Sequence, residues 1–337
     1  MYKLFIVGIF CCMVLVSCNN GGSPKKDVIA VDTTETIESI SKKIRENPEN
    51  ANLFLRRAEL QFIDENIIEA INDAEIALRL DSLRPEIYTK LSEYYLLKGN
   101  SGSAKDVLIR CLAKFPKNAD ARLKLAQIYY YVELFKEAMK EIVFIEENDL
   151  QNADSYFVKA LILNETQSYQ EAIKALRKTI EYDSNHWEAY NLIGTIYCRL
   201  KDKLAVEYFT TATKLFPTNL EIRFNAGLTY QTFELTDRAI KEYEFVVAQD
   251  SSFSTAYYNM GYIYVNVIKN YDKAVENFSK AIASDSVFYQ AFYNRGYSYE
   301  IQGKYKLAET DYRQALKIMP NYDLAVKGLN EVINKQR

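Results

Sequence analysis

A small residue returns about every 34 positions, eight times: Ala58, Ser92, Ala126, Ala160, Gly194, Gly227, Gly261 and Gly296. A second series keeps step with it: Ala70, Ala104, Ala138, Ala172, Ala205, Ala239, Ala274 and Ala308. A fixed period of this size is the mark of stacked repeats, each burying its apolar face against its neighbours. From second series to first the spacing is always 22, whereas from first to second it is 12, with 11 after Gly194 and 13 after Gly261. Turns tolerate single insertions and deletions better than packed helices do. The spacing therefore predicts that both length changes lie in the turns inside repeats, near Lys201–Lys203 and Lys269–Asp272.

Around the small residues the apolar pattern is helical. Tyr257, Met260, Gly261 and Tyr264 fall at i, i+3, i+4 and i+7. Ala274, Phe278, Ala281 and Ile282 form a stripe on a second helix. Phe216-Pro217 and Met319-Pro320 end helices, since proline cannot continue the hydrogen-bond ladder. Gly, Ala or Ser at a helix crossing lets the two backbones approach closely, with large side chains filling the flanks.

These residues resemble the tetratricopeptide repeat (TPR) pattern. The last repeat carries it as Phe292, Arg295-Gly296, Tyr299, Ala308, Tyr312, Ala315 and Pro320. The repeat at 254–288 carries it with Ser286 in place of the proline. The first repeat departs from it, with Arg57, Gln61 and Ala74 at positions usually larger and apolar. The resemblance implies an all-α, right-handed superhelical solenoid of about eight helix-turn-helix repeats. Their expected bounds are 51–84, 85–118, 119–152, 153–186, 187–219, 220–253, 254–288 and 289–322. Residues 35–50, with Ile37, Ile40 and Ile44, read as an N-terminal capping helix. Residues 323–337, with Leu324, Val326, Leu329 and Ile333, read as a C-terminal cap with a polar outer face.

Residues 1–17 read as a secretory signal: Lys3, then an apolar run from Leu4 to Val16 that is shorter than the ~20 residues of a membrane span. Leu15-Val16-Ser17-Cys18 resembles the bacterial lipobox. That resemblance implies cleavage before Cys18, a diacylglyceryl thioether on its thiol and acylation (palmitate or a similar chain) of its new amine. Several chains anchor stably where one is marginal. The alternative is an ordinary signal with a chance cysteine. Residues 18–34 then form a flexible polar tether. Asn19 after the lipidated cysteine and the lack of an acidic cluster there point to the outer membrane, facing the periplasm.

Little in the chain invites catalysis. Without residues 1–17 it holds 41 basic and 45 acidic residues, a balance unsuited to nucleic acid. His186 is the only histidine, so a Ser/Cys–His hydrolase and a zinc site have no basis, and it reads as a surface or packing residue. Cys111 replaces the buried alanine of other repeats, and with Cys198 it reads as a free thiol. No cofactor, metal or small-molecule substrate is expected, and the chain reads as a non-enzyme.

In TPR arrays the first helix of each repeat lines a concave groove. By that resemblance the groove holds Leu55 and Glu59, Thr89 and Glu93, Leu123 and Gln127, and Asn191 and Thr195. Its apolar stretch is Phe157, Leu161, Phe224 and Leu228, ending in Tyr258, Tyr262, Tyr293 and Tyr297. Tyrosine gives rigid contact area and a hydroxyl, which suits protein or peptide recognition. Asn225, Asn259 and Asn294 lie beside this surface and are placed to hold a peptide backbone. The rings have a second reading, packing against one another. Binding rings at Tyr258 and Tyr293 predict unchanged stability on replacement by alanine, and packing rings predict a loss.

Glu86, Asp120, Asp154, Glu188 and Glu221 open the same helices. They are either acids favoured by the helix dipole or an acidic groove edge preferring basic partners. The lysine and arginine clamp of chaperone-tail TPR grooves has no counterpart here. The expected function is a membrane-anchored scaffold or adaptor that holds protein or peptide partners at the bacterial envelope. A pilotin-like or outer-membrane assembly subunit escorting one client is the alternative, as is a regulator of a cell-wall hydrolase.

Overall fold

The computed structural model describes residues 35–337, and the signal, Cys18 and the whole of the tether lie outside the described residues. Among them are eighteen α-helices and no strand. The chain divides into two compact units, one ending at Ala121 and one running from Arg122 to Arg337.

The first unit holds α1 (Ile37–Glu46), α2 (Ala51–Ile63), α3 (Ile67–Leu80), α4 (Pro85–Leu97) and α5 (Ser101–Lys114). The boundary falls inside α6 (Ala119–Tyr131). The second unit continues with α7 (Phe135–Glu147), α8 (Ala153–Glu165), α9 (Tyr169–Tyr182), α10 (Trp187–Arg199), α11 (Leu204–Leu215) and α12 (Leu220–Thr232). It ends with α13 (Thr236–Gln249), α14 (Ser254–Ile263), α15 (Tyr271–Ser284), α16 (Tyr289–Ile301), α17 (Tyr305–Ile318) and α18 (Asp323–Gln336). Within each unit, even-numbered and following odd-numbered helices pair as hairpins, as α2 with α3 and α8 with α9.

The two small-residue series are the buried seams of these hairpins. All eight alanines of the second series are fully buried. The first-series glycines each seat an aromatic ring from the second helix. A Cβ on Gly194 would lie 2.6 Å from Phe209, one on Gly227 2.6 Å from Tyr243, and one on Gly261 2.7 Å from Phe278. On Gly296 it would lie 3.0 Å from Tyr312. In the four earlier repeats the small residue is Ala or Ser, and the position sixteen residues on is Ala74, Leu108, Ile142 or Leu176. The ring and the missing methyl compensate each other in volume, as close packing requires.

The structure places one of the two length changes elsewhere than expected. In the ordinary turn a residue with φ near 60°, such as Gln167, is followed by an amide closing on the carbonyl five residues back, Ser168 N to Leu163 O at 2.8 Å. This is a Schellman closure. The 33-residue repeat keeps it (Asp202 N to Tyr197 O, 2.9 Å) and loses its residue where turn meets α11. There Ala205 N bonds Asp202 O, where Ala172 N reaches the more distant Ser168 O. The deletion thus falls close to the expected Lys201–Lys203.

The insertion after Gly261 does not lie in the turn. The end of the first helix widens into a π-helical segment, Tyr264–Ile268, and Asn270 N closes on Tyr264 O six residues back. Lys269 keeps the left-handed turn conformation at φ 63°, and Asn270 caps α15. Both ends of the segment are held, by buried Tyr264 and by the cap, so the extra residue enters the helix as a bulge, a form helices adopt in single turns.

The degenerate first repeat packs by a different device. Arg57 Nε and Nη2 donate to both oxygens of Asp73, at 2.6 and 2.8 Å, and Nη1 donates to Ser41 Oγ on α1. The last repeat repeats the arrangement, with Arg295 on Asp311 at 2.8 and 2.7 Å and on Ser279 at 3.0 Å. A bidentate guanidinium clamp replaces apolar filling at these sites.

α1 buries Ile40 and Ile44, and Thr36 and Ser39 cap it reciprocally. On α18 the buried residues are Ala325, Gly328 and Val332, with the Gly328 backbone under the Tyr312 ring. The expected polar outer face needs correcting: Leu324 and Val326 are 52% and 41% exposed. The stripe begins at Ala325 because only a residue without Cβ fits beneath Tyr312.

Candidate functional site

The candidate surface lies within the second unit, on the face of α8, α10, α12, α14 and α16. One repeated contact organises it. The residue just before α10, α14, α16 and α18 packs on a ring of the first helix two places before it. His186 lies against Phe157 (4.5 Å between ring centres), Phe253 against Phe224 (4.9 Å), Phe288 against Tyr258 (4.9 Å) and Tyr322 against Tyr293 (5.3 Å). His186 is thereby a packing residue, one of its two expected readings.

This ladder decides which expected groove residues are accessible. Phe224 also packs on Tyr243, and Tyr258 on Phe278. The Tyr258 hydroxyl accepts a hydrogen bond from Asn294 Nδ2 at 3.1 Å. Burial pushes the Tyr258 phenol up to about 12, with smaller contributions from neighbouring tyrosines. Tyr293 touches Tyr312 and Tyr322, and burial pushes it up to about 12 as well. These two rings pack. Phe157, Leu161, Leu228 and Tyr262 are half-buried, and Tyr297 is 38% exposed and lies parallel to Tyr293 at 6.4 Å.

The asparagines expected beside the groove have partners inside the protein. Both N–H groups of Asn294 are used, on Tyr258 and on the Gln290 carbonyl. Asn259 lies close enough to the Tyr243 hydroxyl to act on it electrostatically, while that hydroxyl donates to Gln231 Oε1 at 2.9 Å. Asn225 donates to Asn191 Oδ1 at 2.9 Å, and Asn191 donates to Glu221 Oε1 at 3.0 Å. This polar ladder across α10 and α12 escaped the sequence reading, which had placed Asn191 in the groove and Asn225 beside it without pairing them. Glu188 Oε2 stands 3.2 Å from His186 Nδ1.

In the first unit, Leu55 and Thr89 are buried, and Glu59 is held by Arg56 and Lys90. Leu123 of the second unit is also buried, so these positions offer little free surface. Cys111 and Cys198 are both free and buried.

Models of the tetratricopeptide repeat match residues 153–186, 254–287 and 289–322. No curated protein matches the sequence. Solved structures share the fold at low identity. The chain superimposes on the C-terminal part of a TPR repeat-containing protein from Cytophaga hutchinsonii with TM-score 0.60 and 16% identity, over 72% of this chain and 99% of that one. For a tetratricopeptide repeat protein from Parabacteroides merdae the values are 0.52 and 16%, over 74% and 98%. For the APC/C hetero-tetramer Cut9-Hcn1 they are 0.54 and 17%, over 88% of this chain and only 58% of that chain's length. Three of the hairpins are thus tetratricopeptide repeats by sequence, and the fold of the described helices is that of tetratricopeptide repeat proteins.

Proposed function

We propose that the protein is a membrane-anchored, non-catalytic scaffold that captures protein or peptide partners on the first-helix face of its second unit. The observation that carries this is the division of labour among the rings. Phe157, Phe224, Tyr258 and Tyr293 are held by the ladder, and they present Tyr262, Tyr297, Leu161 and Leu228 on a stiff backing. Rigid aromatic groups partly open to solvent make good anchors because little side-chain freedom is lost on binding. Lipidation at Cys18, read from Leu15-Val16-Ser17-Cys18, would keep this face at the bacterial envelope, at the outer membrane on its periplasmic side.

Crosslinking in membranes followed by identification of the captured proteins tests the reading. Wild type is expected to enrich a defined client, and Tyr262→Ala with Tyr297→Ala to lose it while the melting temperature stays close to wild type. Undiminished capture by that folded double variant would remove the face from the account. An unmodified Cys18 in the mature protein, found by mass spectrometry, would remove the anchor.

A further inference from the structure

The acids that open the first helices are not equivalent. Glu86 is paired with Arg84 beside it. Elsewhere Glu146 holds Lys159, and Glu242 holds Arg223. Glu188 and Glu221 open the adjacent helices α10 and α12, which touch directly. Neither meets a lysine or arginine among the described residues. Glu221 is fixed by the amide of Asn191. Glu221 is exposed, yet the protein packed around its carboxyl and then the charge of Glu188 push it up, so the two carboxylates act on each other.

A second observation points the same way. The His186 side chain is nine-tenths buried, clamped on Phe157, and its Nδ1 makes no hydrogen bond. That nitrogen lies 3.2 Å from Glu188 Oε2 without the alignment of a bond. The buried imidazole nitrogen and the carboxylate thus face each other without a hydrogen bond between them. A buried polar nitrogen left without a hydrogen bond calls for a partner. A cation carrying several N–H groups suits Glu188 and Glu221 together, with the imidazole beside them.

We propose that Glu188 and Glu221, backed by His186 and Asn191, form a docking position for one arginine or lysine side chain of an extended peptide. The inference rests on the reading of this face as a peptide-capturing surface and adds the chemistry of its partner. Leu161 on α8 and Leu228 on α12 are half-buried on the same helix faces and would meet apolar neighbours of the basic residue. The charge complementarity favours a peptide over an acidic or neutral ligand.

The test uses fluorescence anisotropy with a labelled peptide of repeated Leu-Arg-Gly units and its counterpart bearing citrulline for arginine. Citrulline keeps the shape and removes the charge. The arginine peptide is expected to bind at least about tenfold more tightly, with affinity falling as salt rises. Glu188→Gln with Glu221→Gln should abolish that preference, whereas Asp237→Asn on α13 should leave it unchanged, circular dichroism confirming that both variants are folded. Equal binding of the two peptides, no binding of either, or a preference that survives in the double glutamine variant would overturn the proposal. So would spermidine displacing the arginine peptide fully at equal concentration, which would mark a polyamine site. Loss of the preference with client capture in membranes intact would leave the scaffold reading standing while locating its client elsewhere on the face.

Discussion

Replacing Gly261 by alanine and Phe278 by leucine together should cost less than the two changes made apart. The added Cβ would meet Phe278 Cε1 at 2.7 Å, Cδ1 at 2.8 Å and Cζ at 3.0 Å. Carbon atoms prefer about 3.5–4.0 Å. Phe278 is fully buried, so its ring has no solvent to swing into. Forcing such a contact costs about 1–3 kcal/mol. Alanine recovers about 1 kcal/mol of helix propensity over glycine, which leaves a net loss of up to about 2 kcal/mol. Phe278→Leu alone leaves a void and costs about 1–2 kcal/mol. The double variant recreates the combination of Ala160 and Leu176 that the chain uses one hundred and one residues earlier. Its cost should fall below the sum of the singles by at least about 1 kcal/mol. Urea denaturation gives the energies. Hydrogen exchange over 254–322 locates them, because stacked repeats need not unfold in one step. Additivity within about 0.5 kcal/mol would refute the idea that glycine and ring are chosen as a pair.

Asp311→Ala should lower the stability of the second unit by about 3 kcal/mol, the low end for stranding a buried charge, because Arg295 keeps a fifth of its surface. A urea-measured loss under about 1 kcal/mol would class the clamp with ordinary surface bridges. Burial, aided by Asp120, pushes the Cys111 thiol up to about 11, so near pH 8 it stays protonated, and Ellman's reagent followed by peptide mapping should label it only after unfolding. Labelling of the native protein would contradict that burial. Deleting Val267, 57% exposed in the π-segment, should convert the repeat to the ordinary turn. The melting temperature should fall by no more than about 4 °C, and a larger fall in a thermal melt would show that the bulge itself is needed.

The period and the small-residue series were legible because they record close backbone approach, which accepts only small residues. The pairing of Gly with Phe or Tyr sixteen residues on is also written there, with the offset following the length changes to 15 at Phe209 and 17 at Phe278. What the spacing could not say is where within the stretch from Gly261 to Ala274 the extra residue sits. Anchors at both ends constrain only the sum, and a turn and a widened last helical turn satisfy it equally. Similarly, an arginine before a small residue reads as a defect until Asp73 and Ser41 are seen to converge on it from two other helices.

The candidate face was legible by position and illegible by accessibility, and the ladder explains why. Position on a helix says which way Tyr258 points, but its burial is decided by Phe288, thirty residues on, at the start of the next first helix. The same relation joins Phe157 to His186, Phe224 to Phe253 and Tyr293 to Tyr322 at a separation of twenty-nine. Two of these four outer residues are phenylalanines, which a sequence reading leaves as apolar punctuation at a repeat junction. Once they are placed, the choice between binding and packing rings resolves one residue at a time. The ring three positions before the small residue is half-buried against the core, so alanine at Tyr258 and Tyr293 should each cost stability, up to the roughly 3 kcal/mol at the low end for a core ring, whatever it does to binding. The ring one position after it, at Tyr262 and Tyr297, keeps surface to offer a partner. A variant of Tyr258 and Tyr293 that melted like wild type would overturn the ladder, and with it the reason for looking to Tyr262 and Tyr297.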